Sequence, residues 1–336
     1  MTSQSQLPDF INYFLQPASF SPPVASVDLV QTHISYVIIA GDRVYKFKKP
    51  VDFGFLDFTT LEKRKLYCHR ELTLNQRLCP DIYREVVSVT ASPDGFELNG
   101  AGEVVEYGVM MERMPEEKMM GRLLKDGKVN REMISKIVDT LVPFYEKAEG
   151  GPEIQKFGTA EAVSVNVLEN FDQTRDFVGK GALSEDQYQK ISQYARTFLK
   201  QEDLFRERSK TRVKDCHGDL YSANICLADS VHIFDCIEFN ERFRYCDVAS
   251  DVAFMAMDLD FHGREDLSDF FITSFVAASS DPGLTAVLNF YKCYRAYVRG
   301  KIGLFTAYSP EVDEATKINS LEQAGKYFQL AEKYAV

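Results

Sequence analysis

The sequence lacks long apolar stretches. No uncharged apolar run reaches the roughly 18 to 20 residues that a membrane-spanning helix needs. Residues Met1 to Phe10 also lack the basic start and apolar core of a secretion signal. These absences predict a cytoplasmic protein that has no membrane as its partner.

Paired cysteines and excess positive charge are missing as well. The seven cysteines are odd in number and form no Cys-x-x-Cys pair, which argues against a disulfide framework and against a zinc site. Cys216 directly precedes a histidine, but sequence neighbours rarely face each other, so a thiol nucleophile is not favoured.

The net charge of −11 argues against nucleic acid as the main partner, because binding phosphates needs a basic surface. The length of 336 residues is sufficient for two domains.

One stretch of the chain, between positions 213 and 235, contains a distinctive arrangement of polar residues. It includes His-Gly-Asp at 217–219, Asn224 five positions after the aspartate, and two short apolar runs that end at Asp235. Kinase-type phosphoryl transfer uses this layout: one aspartate accepts the proton of the attacking hydroxyl, and the asparagine and second aspartate hold magnesium against the ATP phosphates. Magnesium prefers hard oxygen ligands. We therefore expect Asp219 to be catalytic, Asn224 and Asp235 to bind metal, and ATP and Mg²⁺ to be the cofactors.

The order of these residues resembles the aminoglycoside phosphotransferase and choline kinase group of small-molecule kinases. Protein kinases have H-R-D-x-x-x-x-N followed by D-F-G, whereas this chain has His-Gly-Asp and follows Asp235 with Cys236-Ile237. It is more closely similar to the bacterial proteins grouped only as "aminoglycoside phosphotransferase family", and the similarity spans roughly Thr32 to Ile302. The segments that carry it are THIS at 32–35, KFKKP at 46–50, FGFLDF at 53–58 and FDCIEFN at 234–240.

The resemblance implies an α+β, bilobal protein kinase-like fold. Residues 1–111 would form a nucleotide-binding N-lobe with a five-stranded antiparallel sheet and a helix. Residues 112–117 would be the hinge, and 118–336 a mainly helical C-lobe with the catalytic loop, a β-hairpin and the acceptor pocket. The pattern predicts a helix from Thr60 to Leu78, and Ser309-Pro310 is typical of the start of a terminal helix. Strands are expected at Val27–Gln31, Tyr36–Ala40, Arg43–Lys48, Ile82–Thr90 and Val104–Met111.

The third strand resembles the V-A-I-K strand of kinases. Because side chains alternate along a strand, Lys46 and Lys48 face the same way and either could reach the α- and β-phosphates. The motif spacing favours Lys46, with Lys48 as the alternate. Kinases orient this lysine with a helix glutamate. We expect that residue to be Glu71, since Glu62 lies in the first turn of the helix and is explained by the helix dipole alone.

The predicted phosphate-covering loop lacks the glycine-rich motif G-x-G-x-x-G. The hydroxyls of Thr32 and Ser35, with backbone amides, are therefore expected to contact the phosphates. His33 could touch the nucleotide, although a lone histidine is more often an ordinary loop residue. In the hinge, the Glu112 carbonyl and the Met114 amide are expected to bond adenine.

Several charged residues have more than one interpretation. Asp247 resembles the aspartate that supports the catalytic loop in this group, and Asp247 and Asp251 together are typical of residues that cap and buttress a helix. Glu238 could join the metal shell, meet a cationic substrate or lie at the surface. A basic stripe on a predicted helix could bind an anionic acceptor or be a solvated face. It comprises Lys292, Arg295 and Arg299.

These residues predict an ATP- and Mg-dependent phosphotransferase that acts on a hydroxyl of a small molecule. A protein kinase and a nucleotide-binding regulator without turnover are the alternatives. A metal-dependent hydrolase that uses His217 and His232 is disfavoured, because His232 and Asp235 would lie on opposite faces of a strand. The acidic total charge favours a cationic acceptor and the basic stripe an anionic one, so the acceptor class stays open.

Overall fold

The computed structural model describes residues 7–310 and 312–336, which form two compact units. The first unit runs to Lys118 and also contains His232–Asn240. The second unit consists of Met119–Val231 and Glu241–Val336. The segment His232–Asn240, which the sequence analysis grouped with the helical part, thus belongs to the first unit.

The first unit contains a curled antiparallel sheet. Within the described residues this sheet has six strands in the order β1-β2-β3-β6-β4-β5. Five match the predicted strands, and β5 is an addition. It forms because β4 continues to Ser92, which pairs with Gly95 across a tight turn. The strands are β1 Val27–Gln31, β2 Ser35–Ala40, β3 Arg43–Lys48, β4 Tyr83–Ser92, β5 Gly95–Leu98 and β6 Val104–Glu112.

The two-residue turn Gly41-Asp42 sets the register of β2 against β3. Ala40 lies opposite Arg43 on either side of this turn. Gly41 has a φ of +59°, a conformation that glycine adopts without steric cost and that tight hairpins require. Helix α1 (Asp9–Phe14) covers the apolar face of the sheet. The core there includes Ile11, Phe14, Ile38, Phe47 and Val89.

Helix α2 runs from Leu61 to Asn75 and ends three residues earlier than predicted. The Thr60 hydroxyl caps it by accepting a hydrogen bond from the Lys63 amide at 3.2 Å. The side of α2 that faces the sheet packs in a second core. That core contains Cys68, Cys79, Ile82, Tyr83, Val109 and Met111.

The second unit is mainly helical. Its helices are α3 Met120–Lys125, α4 Arg131–Lys147, α5 Pro152–Gln155, α6 Ala160–Thr174, α7 Glu185–Phe198, α8 Glu202–Arg212, α9 Glu241–Arg244, α10 Val248–Phe261, α11 Glu265–Ser279, α12 Leu284–Ala307 and α13 Glu314–Tyr334. Every residue of α10 from Val248 to Leu259 is buried, so this helix forms the centre of the unit. Even so, no helix in the described part of the chain has the length and apolarity that crossing a membrane requires.

Short strands accompany the loop that carries the predicted catalytic residues. Strand β7 leads into this loop and pairs with β10, which leads into α10. Strands β8 and β9 follow the loop at the positions of the expected hairpin, and β9 brings the chain to the segment that belongs to the first unit. These strands are β7 Val213–Asp215, β8 Ile225–Leu227, β9 Val231–Ile233 and β10 Tyr245–Asp247.

The prediction that the terminal helix starts at Ser309-Pro310 was wrong. Helix α13 begins at Glu314, and Asp313 caps it by accepting from the Thr316 amide at 2.9 Å. Ser309 instead closes a turn, because its carbonyl accepts from the Val312 amide at 3.2 Å. The helix start is thus set by the Asp313 cap and not by the Ser309-Pro310 pair.

A buried ion pair connects α2 to β6. The Nε of Arg64 donates to both carboxylate oxygens of Glu106 at 2.8 Å, and its NH1 donates to the Phe58 carbonyl at 3.0 Å. Both side chains are buried. Burial raises the pKa of Glu106, while Arg64 acts in the opposite direction.

We expect Arg64→Met to lower the free energy of unfolding by about 3 kcal/mol, because it leaves Glu106 buried without its counter-charge. Adding Glu106→Gln should recover part of that loss, which urea denaturation monitored by circular dichroism can measure. Lys136→Met, which breaks an exposed pair with Glu132, is the control and should change stability by less than about 0.5 kcal/mol. Equal losses for the Arg64 and Lys136 variants would contradict this account.

Candidate active site

Strand β3 brings two lysines to one glutamate of α2. The Nζ of Lys46 lies 2.8 Å from Glu71 Oε1, and the Nζ of Lys48 lies 2.8 Å from Glu71 Oε2. The two lysines therefore face the same way, as strand alternation predicts. Glu62 is exposed in the first turn of α2, so Glu71 is the helix glutamate that meets the lysines.

Glu71 is completely buried and stays ionised because of these contacts. Burial alone would raise the pKa of its carboxyl, but Lys46 and Lys48 outweigh burial and lower the pKa to about 2. For Lys46, burial acts to lower the pKa, but Asp235 and Glu71 overcome it and raise the pKa well above its usual value. The lysines and Glu71 thus hold each other in their charged forms.

Two acidic residues from the segment His232–Asn240 complete this group. The Nζ of Lys46 donates to Asp235 Oδ1 at 2.5 Å, and Lys48 pairs with Glu238. Glu238 is only 4% exposed, so the surface role considered for it from the sequence was wrong.

Asp235 adopts an uncommon backbone conformation. Its φ is +62°, in the left-handed region, where the backbone of a residue other than glycine is destabilised by roughly 1 to 2 kcal/mol. Two hydrogen bonds hold this turn: the Tyr83 hydroxyl accepts from the Asp235 amide at 3.3 Å, and Asn75 Oδ1 accepts from the Cys236 amide at 2.9 Å. The other end of the Asn75 amide donates to the Glu71 carbonyl at 2.8 Å. Asn75 at the end of α2 and Tyr83 at the start of β4 therefore hold the backbone at Asp235.

The loop between β1 and β2 is closed by its own side chain. Thr32 Oγ1 accepts from the Ser35 amide at 2.9 Å and from the Ile34 amide at 3.3 Å. Ser35 is buried at the start of β2, whereas Thr32 and His33 are exposed. Burial of the Ser35 hydroxyl does not favour its predicted contact with a phosphate, and the amides of Ile34 and Ser35 already donate to Thr32.

The predicted adenine-contacting residues lie at the end of β6. Glu112 is the last residue of this strand, its amide donates to the Ile82 carbonyl at 2.9 Å, and its carboxylate receives Arg84 at 2.7 Å. Met114 follows in an irregular segment and packs against the core below α2. The roles of Glu112 and Met114 towards adenine stay predictions.

In the second unit, the His-Gly-Asp loop is held by its backbone. Asp251 of α10 accepts from the His217 amide at 2.7 Å and from the Gly218 amide at 3.0 Å. At the next peptide bond, Arg295 of α12 donates to the Gly218 carbonyl at 2.8 Å. Gly218 has a φ of +88°, which explains why glycine stands between the histidine and Asp219.

The rest of the loop is held by similar contacts. The Nδ2 of Asn224 donates to the Asp219 carbonyl at 2.9 Å and to Asp219 Oδ2 at 3.0 Å, so Asn224 orients the carboxylate of Asp219. Asp258 of α10 accepts from the Ser222 amide at 2.9 Å. The loop is thus preorganised by buried carboxylates rather than by solvent.

The aspartate that supports this loop is Asp251 rather than Asp247. Asp247 caps α10 by accepting from the Ala249 amide at 2.8 Å and is bound by Arg208. Asp251 lies one turn further along and is fully buried beneath the loop. The sequence correctly indicated a capping aspartate but assigned the supporting role to the wrong residue.

The basic stripe of α12 is largely internal. Lys292 and Arg295 are buried, and Lys292 pairs with Asp260 at 2.5 Å. The guanidinium of Arg299 lies 4.8 Å from the centre of the Tyr221 ring. Since Lys292 and Arg295 bind residues of their own unit, the interpretation of the stripe as a solvated face was wrong for these two.

The predicted metal ligands have suitable chemistry. Asp235 offers a carboxylate on a side chain that is 45% exposed. Asn224 bonds Asp219 through its Nδ2, so the amide oxygen is the atom that Asn224 would offer to a metal. Both are hard oxygen donors of the type that magnesium takes. Each side chain fits the ion by its own chemistry; Asp235 belongs to the first unit and Asn224 to the second.

Comparisons with known proteins agree with this fold. No protein-family model matches the chain. A choline/ethanolamine kinase family protein from Mesorhizobium loti aligns over 95% of this chain and 96% of its own, with a TM-score of 0.52 and 11% identity. Amicoumacin kinase, solved with AMP-PNP, Ca²⁺ and its substrate, aligns over 95% and 89% with a TM-score of 0.53 and 13% identity. The chain has a protein kinase-like fold.

The curated relatives extend the comparison in sequence. Uncharacterized proteins from Mycobacterium tuberculosis and Mycobacterium bovis are 34% identical to this chain over 279 residues. The match covers 82% of this chain but 54% of each relative. The kinase-like chain therefore spans about half the length of the relatives it matches.

We expect Gly218→Ala to lower the free energy of unfolding by about 1 to 2 kcal/mol, because alanine is strained at a φ of +88°. Gly121→Ala is the matched control. Gly121 lies in α3, where an added Cβ meets only ordinary contacts at 3.6 Å, so alanine should be neutral or slightly stabilising. Urea denaturation of both variants provides the comparison, and a neutral Gly218→Ala would contradict the strained loop.

The stabilisation from Glu71 should depend on pH in a defined direction. Its pKa is about 2 in the folded chain and about 4.3 when unfolded, so the stabilisation is complete above the unfolded value and is lost as pH falls towards 2. Glu71→Gln should therefore lower the free energy of unfolding by about 3 kcal/mol near pH 6, and its difference from wild type should shrink as pH falls below about 4 towards 2. Urea denaturation between pH 6 and 2.5 measures this. Glu322→Gln, at an exposed position, is the control and should match wild type at every pH. A difference in unfolding free energy between Glu71→Gln and wild type that stays the same at every pH would refute the prediction.

Proposed function

We propose that the chain is an ATP- and magnesium-dependent phosphotransferase that moves the γ-phosphate of ATP to a hydroxyl of a small molecule. The observation that carries this proposal is Lys46, which lies within 2.8 Å of buried Glu71 and 2.5 Å of partly exposed Asp235. A lysine fixed by a helix glutamate beside a metal-binding aspartate is the arrangement that kinases use towards ATP phosphates.

The fold supports the same conclusion. The two similar structures are named as a choline/ethanolamine kinase family protein and as amicoumacin kinase, and the latter was solved with an ATP analogue and a divalent cation. Both names describe enzymes that phosphorylate small molecules rather than proteins. We infer that this chain also acts on a small-molecule hydroxyl.

The proposed roles combine the kinase pattern with the local geometry. Asp219, oriented by Asn224, accepts the proton of the acceptor hydroxyl as the hydroxyl oxygen forms a bond to the γ-phosphorus. The bond from the γ-phosphorus to the β,γ-bridging oxygen breaks, and ADP leaves with the electron pair. Lys46 binds the α- and β-phosphates. A magnesium ion held by Asn224 and Asp235 would neutralise charge on the phosphates.

The remaining assignments are proposals of the same kind. Backbone groups at Glu112 and Met114 would bond the adenine, and the exposed turn at Thr32 and His33 would contact the phosphates. The seven cysteines are all free thiols, which fits the reduced cytoplasm in which we propose that the protein acts.

The test separates nucleotide binding from turnover. Asp235→Ala should abolish magnesium-dependent ATP binding in isothermal titration calorimetry, because it removes a metal ligand. Asp219→Ala should retain that binding within about threefold but lower slow ATP hydrolysis by about 100-fold or more, because it removes the group that takes the proton. Asp229→Ala removes an exposed carboxylate from the turn between β8 and β9 and should match wild type.

Two outcomes would overturn the proposal. Absence of magnesium-dependent ATP binding in folded wild-type protein would rule out a kinase. Binding that needs Asp235, but without any turnover sensitive to Asp219 in a screen of hydroxyl acceptors, would indicate a nucleotide-binding regulator instead.

A further inference from the structure

Five charged side chains of the first unit are connected in a row. Lys46 contacts Asp235 at 2.5 Å and Glu71 Oε1 at 2.8 Å. Lys48 contacts Glu71 Oε2 at 2.8 Å and also pairs with Glu238. Three carboxylates and two ammonium groups thus alternate from Asp235 to Glu238, and each oxygen of Glu71 has its own lysine.

Solvent reaches only one end of this row. The side chain of Asp235 is 45% exposed and that of Lys46 is 15% exposed, whereas Lys48 and Glu71 are each 1% exposed. Glu238, at the far end, is 6% exposed at its side chain. A phosphate that approaches from solvent can therefore reach Lys46 but not Lys48.

Because two lysines contact Glu71, something else must determine which of them binds the nucleotide. Both ammonium groups lie at the same distance from Glu71, so Glu71 alone does not decide which lysine serves the nucleotide. The two lysines differ in their second partner, which is exposed Asp235 for Lys46 and buried Glu238 for Lys48. The ring of Phe58 also lies 4.8 Å from Lys48 Nζ and adds to its retention.

We propose that Glu238 is a positioning residue that assigns different roles to the two lysines. By holding Lys48 as an internal cation, it keeps one oxygen of Glu71 available to fix Lys46, and it leaves Lys46 as the lysine that binds nucleotide phosphate. This inference rests on the proposed phosphotransferase function and adds to it a role for a buried pair, Lys48 and Glu238.

The first test is whether a second substitution rescues the first. In Glu238→Gln, Lys48 has Glu71 as its remaining carboxylate and competes with Lys46 for it, so KM for ATP should rise about tenfold with a smaller change in kcat. In the double variant Glu238→Gln/Lys48→Met the competitor is gone, and KM should return to within about threefold of wild type. The matched control, Asp57→Asn/Lys63→Met, removes an exposed ion pair of the same unit and should leave KM unchanged.

A purely structural role predicts the opposite order. If the pair only stabilises the fold, the double variant should bind ATP no better than Glu238→Gln, and KM should follow the free energy of unfolding measured in urea. That result would overturn the inference while leaving the phosphotransferase activity intact.

The second test needs no turnover. An acyl-phosphate derivative of ATP transfers its acyl group to an amine beside the phosphates, forming an amide as the carbon–oxygen bond to phosphate breaks and ATP departs. In wild-type protein with magnesium, peptide mass spectrometry should find the label on Lys46, suppressed by excess ATP, with Lys48 unlabelled. In Glu238→Gln, provided that it folds, Lys48 should also become labelled.

The outcomes distinguish the inference from the function on which it rests. ATP-suppressible labelling of Lys48 instead of Lys46 in wild type, or an unchanged pattern in folded Glu238→Gln, would overturn the role of Glu238 but keep an ATP site. The absence of any ATP-suppressible label on either lysine would overturn the proposed function and the inference together.

Discussion

The first unit depends on keeping one buried carboxylate ionised. Glu71 has no exposure to water, and a lone carboxylate in that position would be strongly disfavoured. Lys46 and Lys48 stabilise the buried charge of Glu71, and the same contacts hold the two lysines in place. Stability and site geometry therefore come from one set of ion pairs, so a change in any partner affects both.

The second unit solves a similar problem with a helix. Three carboxylates associated with α10 each accept from a backbone amide: Asp247 at the helix start, Asp251 below Gly218 and Asp258 below Ser222. Because α10 is buried on every side, these acceptors have little freedom to move. The main chain of the loop that carries Asp219 is thereby attached to a helix that is buried from Val248 to Leu259, which leaves the side chain of Asp219 available for chemistry.

The sequence predicted the parts of this arrangement that follow from local patterns. Strand alternation placed Lys46 and Lys48 on one side, and position within α2 distinguished Glu71 from Glu62. It did not predict that Asp251 and Arg295 hold the backbone of the His-Gly-Asp loop. An aspartate in an apolar helix and an arginine in a basic stripe resemble a helix cap and a solvated face until tertiary contacts bury them. Strand β5 was overlooked because Pro93-Asp94 marks a turn without showing that pairing resumes after it. The pairing of Glu238 with Lys48 had no local signal, since the two residues lie 190 positions apart.

The return of His232–Asn240 to the first unit has a consequence for biosynthesis. As the chain leaves the ribosome, residues up to Lys118 appear first, but their unit lacks Asp235 and Glu238 until translation has passed residue 240. During that interval Lys48 has Glu71 as its one carboxylate partner, and the end of α2 has no Cys236 amide to bind. N-terminal domains commonly fold as they emerge. Here the charged core of the first unit stays incomplete until residues 232–240 have been made, so its completion follows the translation of residues 119–231 of the helical unit.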